Sequence, residues 1–238
     1  MFSISNDKSF KNVKCQFCYS STMEELMSFH VMADPELHSV CGDFALHLRE
    51  NLPDGLKAEI DDIGTRFAHW YYILDLVGLL VEEDANYQCD LEQVAEKLLM
   101  LPLMEFSYYV LGLSVDALHI SMEEFSQWYL DETVCMEELK ARNYDLMELE
   151  NVRYVLENAG EMKKRLLKVV REYWECCFSK EWATIRHYVR EIIAHEEMRL
   201  EHTTLSEYLS QFHSQLKMED EILIFDKKPK LQVSLAQI

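Results

Sequence analysis

Glycine and proline are nearly missing from this 238-residue chain, which has six of the first and four of the second. Average usage is about 7% glycine and 5% proline, so this backbone makes little use of left-handed turns, phosphate-cradling loops or rigid kinks. Neither GxxxxGK[ST] nor GxGxxG occurs. That excludes the two commonest nucleotide-binding designs, both of which need glycines where backbone amides approach phosphate. No apolar run nears the roughly 20 residues of a membrane helix, and the longest, Ile73 to Val81, is broken by Asp75. The opening MFSISNDKSFKN has no apolar core and no small-residue cleavage site, so no secretory signal is expected. Seven irregularly spaced cysteines match a reducing compartment in which thiols stay free. A cytoplasmic location, with no membrane partner, is the simplest expectation.

Positive charge is scarce as well. Lys and Arg number 23 against 43 Asp and Glu, a formal net charge of −20. Nucleic-acid affinity depends on basic side chains displacing phosphate counterions, so this chain by itself is not expected to hold DNA. Its one basic concentration is Lys163, Lys164, Arg165, Lys168 and Arg171. It is interleaved with apolar residues at helical spacing and reads as a solvated helix face paired with acids.

What remains is helix-forming sequence that is 49% hydrophobic, enough for a substantial core without disulfides or metals. Thr22 and Glu25 match a capping box ahead of Met23, Leu26, Met27 and Val31. Asp34-Pro35 predicts the start of a second helix, with Leu37, Val40, Cys41, Phe44, Ala45 and Leu48 on its apolar face. From Leu56, the residues Ile60, Ile63, Phe67, Trp70, Tyr71, Leu74, Val77 and Leu80 are apolar on more than one side and predict a central helix. Asp90, Ser121 with Glu124, and Thr204 with Glu207 mark further helix starts, and Pro102 marks a break. Gly160 predicts a stop between a helix over 143–158 and another over 161–177, with a long helix over 180–202 to follow. The sequence then alternates. Residues 221–225, the turn Asp226-Lys227-Lys228-Pro229, and Leu231, Val233 and Leu235 predict a β-hairpin. The expected fold class is mainly α: a multi-helix, bundle-like domain over 1–217 with a short C-terminal β-hairpin element over 218–238.

Few residue patterns point to chemistry. Cys15 and Cys18 form the one CxxC, without the second ligand pair of a zinc site. Cys176-Cys177 is a vicinal pair, read as two ordinary thiols, with soft-metal binding as the alternative. His195 and His202 are seven residues apart, about 10 Å along a helix and too far to share a zinc ion. Position 199, where HExxH needs histidine, is Arg. No catalytic residue, metal or cofactor is assigned, and no enzymatic activity is expected. The aromatic residues are more suggestive. Trp70, Tyr71, Tyr108, Tyr109 and Trp128 place amphipathic rings in three helical segments, where such rings line a pocket for a small apolar or aromatic effector as readily as they fill a core.

Two segments carry a resemblance. Phe29-His30-Val31-Met32-Ala33-Asp34-Pro35-Glu36-Leu37-His38 resembles the LHxLADPxxH signature of a group of ArsR-like bacterial regulators. Tyr173-Trp174-Glu175-Cys176-Cys177-Phe178-Ser179-Lys180-Glu181-Trp182 is similar to the fWxxxFxxEW segment of the same group. The resemblance implies a cytoplasmic transcriptional regulator whose helical part senses a signal or mediates homodimerisation. It assigns DNA contact to a winged helix-turn-helix that follows the matched region and is not expected within these residues. It supplies no ligand-contact or catalytic residue. A free-standing acidic helical module that binds a basic partner is the alternative, and a helical metalloenzyme built on carboxylates with His195 or His202 is the third reading.

Overall fold

The computed structural model describes residues 2–4, 15–17, 20–36, 38, 41–82, 90–114, 120–142, 146–212, 216–219 and 222–225. In chain order the elements are β1 (Phe2–Ile4), β2 (Cys15–Phe17), α1 (Ser21–Ala33), α2 (Gly42–Glu50), α3 (Asp54–Arg66) and α4 (Tyr71–Glu82). Next come α5 (Leu91–Met100), α6 (Leu103–Val110), α7 (Met122–Trp128), α8 (Glu132–Ala141) and α9 (Leu146–Tyr173). A π-helical turn (Trp174–Phe178), α10 (Ser179–His202), α11 (Leu205–Phe212), β3 (Leu216–Glu219) and β4 (Ile222–Phe225) complete the described chain. The fold is mainly helical. β1 pairs antiparallel with β2, and β3 with β4 in the register Leu216 to Phe225. The expected turn at 226–229, and the expected strand over 231–235 that would pair with 221–225, lie outside the described residues.

The chain divides into two compact units, Ser20–Lys180 and Met1–Tyr19 with Glu181–Ile238. In the first, the 28-residue α9 packs against α3, α5, α6 and α8, and α1 against α2, α3, α4 and α5. Its core holds Leu26, Phe29, Ile60, Ile63, Phe67, Trp70, Phe106, Phe125, Val155 and Tyr173, all buried.

Local capping chemistry places several helix starts where the sequence puts them. Asp90 with Gln93 and Ser121 with Glu124 form reciprocal capping boxes, and Thr204 exchanges the same pair of bonds with Glu207. Pro102 is the N-cap of α6.

Four expectations are corrected. The cap of α1 is Ser20, whose Oγ accepts from Met23 N at 3.4 Å; Thr22 and Glu25 lie inside the helix and face the core. Asp34 closes α1 instead of opening α2, its N–H donating to His30 O, and α2 starts at Gly42. The central helix is two helices, because the backbone turns left-handed at Ala68, His69 and Trp70 (φ 48°, 53° and 72°) between α3 and α4. Gly160 does not stop a helix: α9 runs through it, Leu103 packing at 4.0 Å from where a Cβ would stand.

Candidate functional site

On α1 the spacing Thr22, Glu25, Ser28, Phe29, Met32 puts two hydroxyls and a carboxyl on the buried face. Glu25 has 0% relative exposure and Thr22 1%. Neither Glu25 carboxyl oxygen has a hydrogen-bond partner, and neither does Thr22 Oγ1. Ser28 Oγ donates to Glu25 O at 2.6 Å and lies 2.8 Å from Tyr173 Oη. Its single proton is thereby used, so the Tyr173 phenol is the donor between the two hydroxyls.

Burial raises the Glu25 carboxyl well above the usual carboxylate range and no donor offsets it, because an ionised group stripped of water and left unpaired is strongly disfavoured. Burial likewise pushes the Tyr173 hydroxyl up. The interior around α1 is therefore polar, and burial there disfavours negative charge on both groups. The π-helical turn begins one residue after Tyr173. Its wider ladder interrupts the α-helical bonding, a feature that recurs at functional sites.

A second strained feature borders the same residues. Three consecutive non-glycine residues at positive φ are rare, and such positions persist only where surrounding contacts hold them. Here His30 Nδ1–H donates to His69 O at 2.6 Å and Trp70 Nε1–H to Ile60 O at 3.1 Å. The Trp70 ring lies 4.4 Å from that of Phe29, which is 4.5 Å from Tyr173. Gly64 makes room for the indole, since a Cβ there would stand 3.0 Å from Trp70 Nε1. His38 stacks edge-on to His30 at 4.9 Å. Burial first, and then the neighbouring His30, lower its basicity, against the opposing pull of Asp34.

Of the aromatic residues singled out in the sequence, Trp70, Tyr108 and Trp128 are buried. Trp70 belongs to the junction just described. Tyr71, the next residue, is 47% exposed. Tyr108 is buried with its hydroxyl donating to Ile120 O at 2.8 Å, its ring 5.2 Å from Tyr109 and 5.8 Å from Phe125. Trp128 is buried beneath the Arg142 guanidinium, 4.7 Å from its ring. None of the five lines either of two surface clefts. One, of about 260 Å³, is lined by Ser21, Asp90, Leu91, Glu92, Arg171, Trp174 and Glu175. The other, of about 370 Å³, lies along α3 and α9, with Glu59, Tyr154 and Arg165 in its walls.

The basic run on α9 is paired with acids: Arg165 with Glu59 at 2.5 Å and Asp62 at 2.7 Å, Lys164 with Glu161, Lys168 with Glu172, and Arg171 with Glu92. Lys163 is the exception. It is buried, its ammonium donates to Leu101 O, and burial lowers its basicity. Cys176 is exposed and Cys177 half-buried, whereas Cys18 lies outside the described residues. His195 is 3.3 Å from Glu196 on α10. Among the described residues no three His, Cys, Asp or Glu side chains are grouped to hold a metal ion.

Sequence reasoning missed Glu25. The signal is present, since an acid at the second position of the buried stripe 22-25-29-32 is a polar intruder, but the same residue also fits a capping box.

An unpaired buried acid that holds its proton more tightly in the folded chain makes folding pH-dependent. The folded carboxyl binds its proton more tightly than the unfolded one, so stability falls as pH rises above the unfolded value, by up to about 1.4 kcal/mol per pH unit, and levels off above the folded value. Glu25→Gln removes this slope. In thermal melts from pH 5 to pH 8 the variant is expected to gain steadily on the wild type; parallel curves would show that Glu25 is not held neutral.

Comparison with protein-family models, with curated proteins and with solved structures finds no match to this chain.

Proposed function

We propose that this chain is the signal-sensing and self-associating part of an ArsR-like bacterial transcriptional regulator, non-enzymatic, and that DNA contact belongs to a winged helix-turn-helix in the intact regulator. One observation carries the reading. The two resembling segments, which are far apart in sequence, meet in space: Phe29 packs on Tyr173 at 4.5 Å, and Tyr173 hydrogen-bonds Ser28, the residue just before the first segment, at 2.8 Å. Their meeting place is also where the unpartnered Glu25, the left-handed turn and the π-helical turn concentrate.

Such a junction suits sensing better than catalysis. A carboxyl with no exposed surface does not meet a substrate unless the body rearranges. A sensor needs that kind of element, with two arrangements a few kcal/mol apart that a ligand re-weights. In a homodimer, a shift of this kind resets the spacing of two DNA-reading heads.

The test is recovery of DNA crosslinked in cells to the product of the intact gene, together with its sedimentation. A discrete enriched site and a dimer are expected. Absence of any enriched site removes the regulator reading and leaves the acidic interaction module in its place.

A further inference from the structure

We propose that the polar interior of the Ser20–Lys180 unit is the binding site of a lipophilic organic monocation, with Glu25 as its charge partner and the Phe29, Trp70 and Tyr173 rings as its apolar wall. The proposal rests on the sensor reading and names the chemical class of its effector.

Glu25 and Thr22 are both essentially unexposed, and their side-chain oxygens lack partners. Buried polar groups are paired in the great majority of cases, and each exception calls for a reason. Three acceptor oxygens on one helix face, one of them able to carry a negative charge, are complementary to a single positive charge. Burial is the one influence that acts on the Glu25 carboxyl, with no charged partner beside it among the described residues.

The surrounding residues narrow the cation to an organic one. Phe29 lies one helical turn beyond Glu25, and its ring is in contact with those of Trp70 and Tyr173. Phe178, from the π-helical turn, adds a ring 5.7 Å from Tyr173. Aromatic faces attract organic cations most strongly when water is excluded. Calcium and magnesium instead want six or more oxygens, and no three metal-binding side chains are grouped among the described residues.

The 260 Å³ cleft is bounded by Ser21 and Trp174, the chain neighbours of Thr22 and Tyr173, and carries the carboxylates of Asp90, Glu92 and Glu175. Its one cation, Arg171, is held by Glu92 at 2.8 Å. Acid-lined clefts concentrate cations. The rings touch one another, so binding must part them, and the left-handed turn that carries Trp70 is where backbone strain is available for release. As the cation enters, the Glu25 proton leaves to solvent, and the buried charge formed is neutralised by the ligand.

The 238-residue chain is titrated with tetraphenylphosphonium chloride, and with triphenylphosphine oxide as a neutral relative. The phosphonium is expected to raise the melting temperature and to bind at least tenfold more tightly than the oxide. It should release about one proton per cation in calorimetry across buffers of different ionisation heat. Glu25→Gln, an isosteric neutral side chain, is expected to lower phosphonium affinity at least tenfold while leaving oxide binding unchanged. No phosphonium binding, equal binding of the two probes, no proton release, or full affinity in the variant each overturns the proposal. Failure here with crosslinked DNA recovered leaves the regulator reading standing; phosphonium binding without a DNA site removes that reading and keeps the cation site.

Discussion

Trp70→Ala is expected to lower the stability of the chain by about 3–5 kcal/mol, the range for emptying a buried indole site. Trp70 has no exposed surface, and its ring is the contact through which the strained turn meets Phe29. Alanine removes that packing and the bond from Nε1 to Ile60 O, leaving positive φ angles at residues 68–70 with little to hold them. Trp70→Phe separates these contributions, because it keeps a ring against Phe29 and loses the indole N–H, a difference of roughly 1–2 kcal/mol. Denaturant unfolding of both variants checks the order; a loss below about 1 kcal/mol for Trp70→Ala, the range of surface substitutions and small core changes, would show that the indole is not an anchor.

Gly112→Ala is the second large effect, expected to cost about 2–4 kcal/mol. Gly112 has φ +67°, a region in which any other L-residue costs about 1–2 kcal/mol. A Cβ there would also stand 2.4 Å from Cε1 and Cζ of Tyr72, so the half-buried ring must swing out or the turn after α6 must shift. The two penalties come from different sources, and Tyr72→Ala made in the same chain tells them apart. It relieves the clash and leaves the backbone strain, so the double mutant is expected to recover the larger part of what Gly112→Ala loses beyond the cost of Tyr72→Ala alone. Gly112→Ala melting at the wild-type temperature would contradict this turn geometry.

Local chemistry was legible in the sequence, and long-range choices were not. Asp90, Ser121 and Thr204 cap helices from side chains three residues away, and no distant contact is needed to see that. At the start of α1, by contrast, Ser20, Ser21 and Thr22 stand in a row ahead of Glu24 and Glu25. Two of the three match a capping box, and the core decides the issue by taking Thr22 and Glu25 inside. The left-handed turn contains no glycine, so nothing local marks it, and a run of apolar residues through Phe67 and Trp70 reads as one helix. The aromatic residues show the limit of adjacency. Trp70 and Tyr71 are neighbours in the chain, yet the turn sends one ring into the core and the other toward solvent. Gly160 lies inside the longest helix because the packing of α9 along four other helices outweighs the roughly 1 kcal/mol that glycine costs there.

Sensing at this junction requires Glu25 to be held uncharged in the core. Its carboxyl carbon can be followed directly by NMR in protein labelled at the glutamate side-chain carboxyl, with Glu25→Gln identifying the resonance. The expected result is one glutamate that stays protonated well after the others have ionised, in keeping with its burial, and that ionises at lower pH once the phosphonium is bound. A Glu25 resonance that titrates with the surface glutamates would contradict the account.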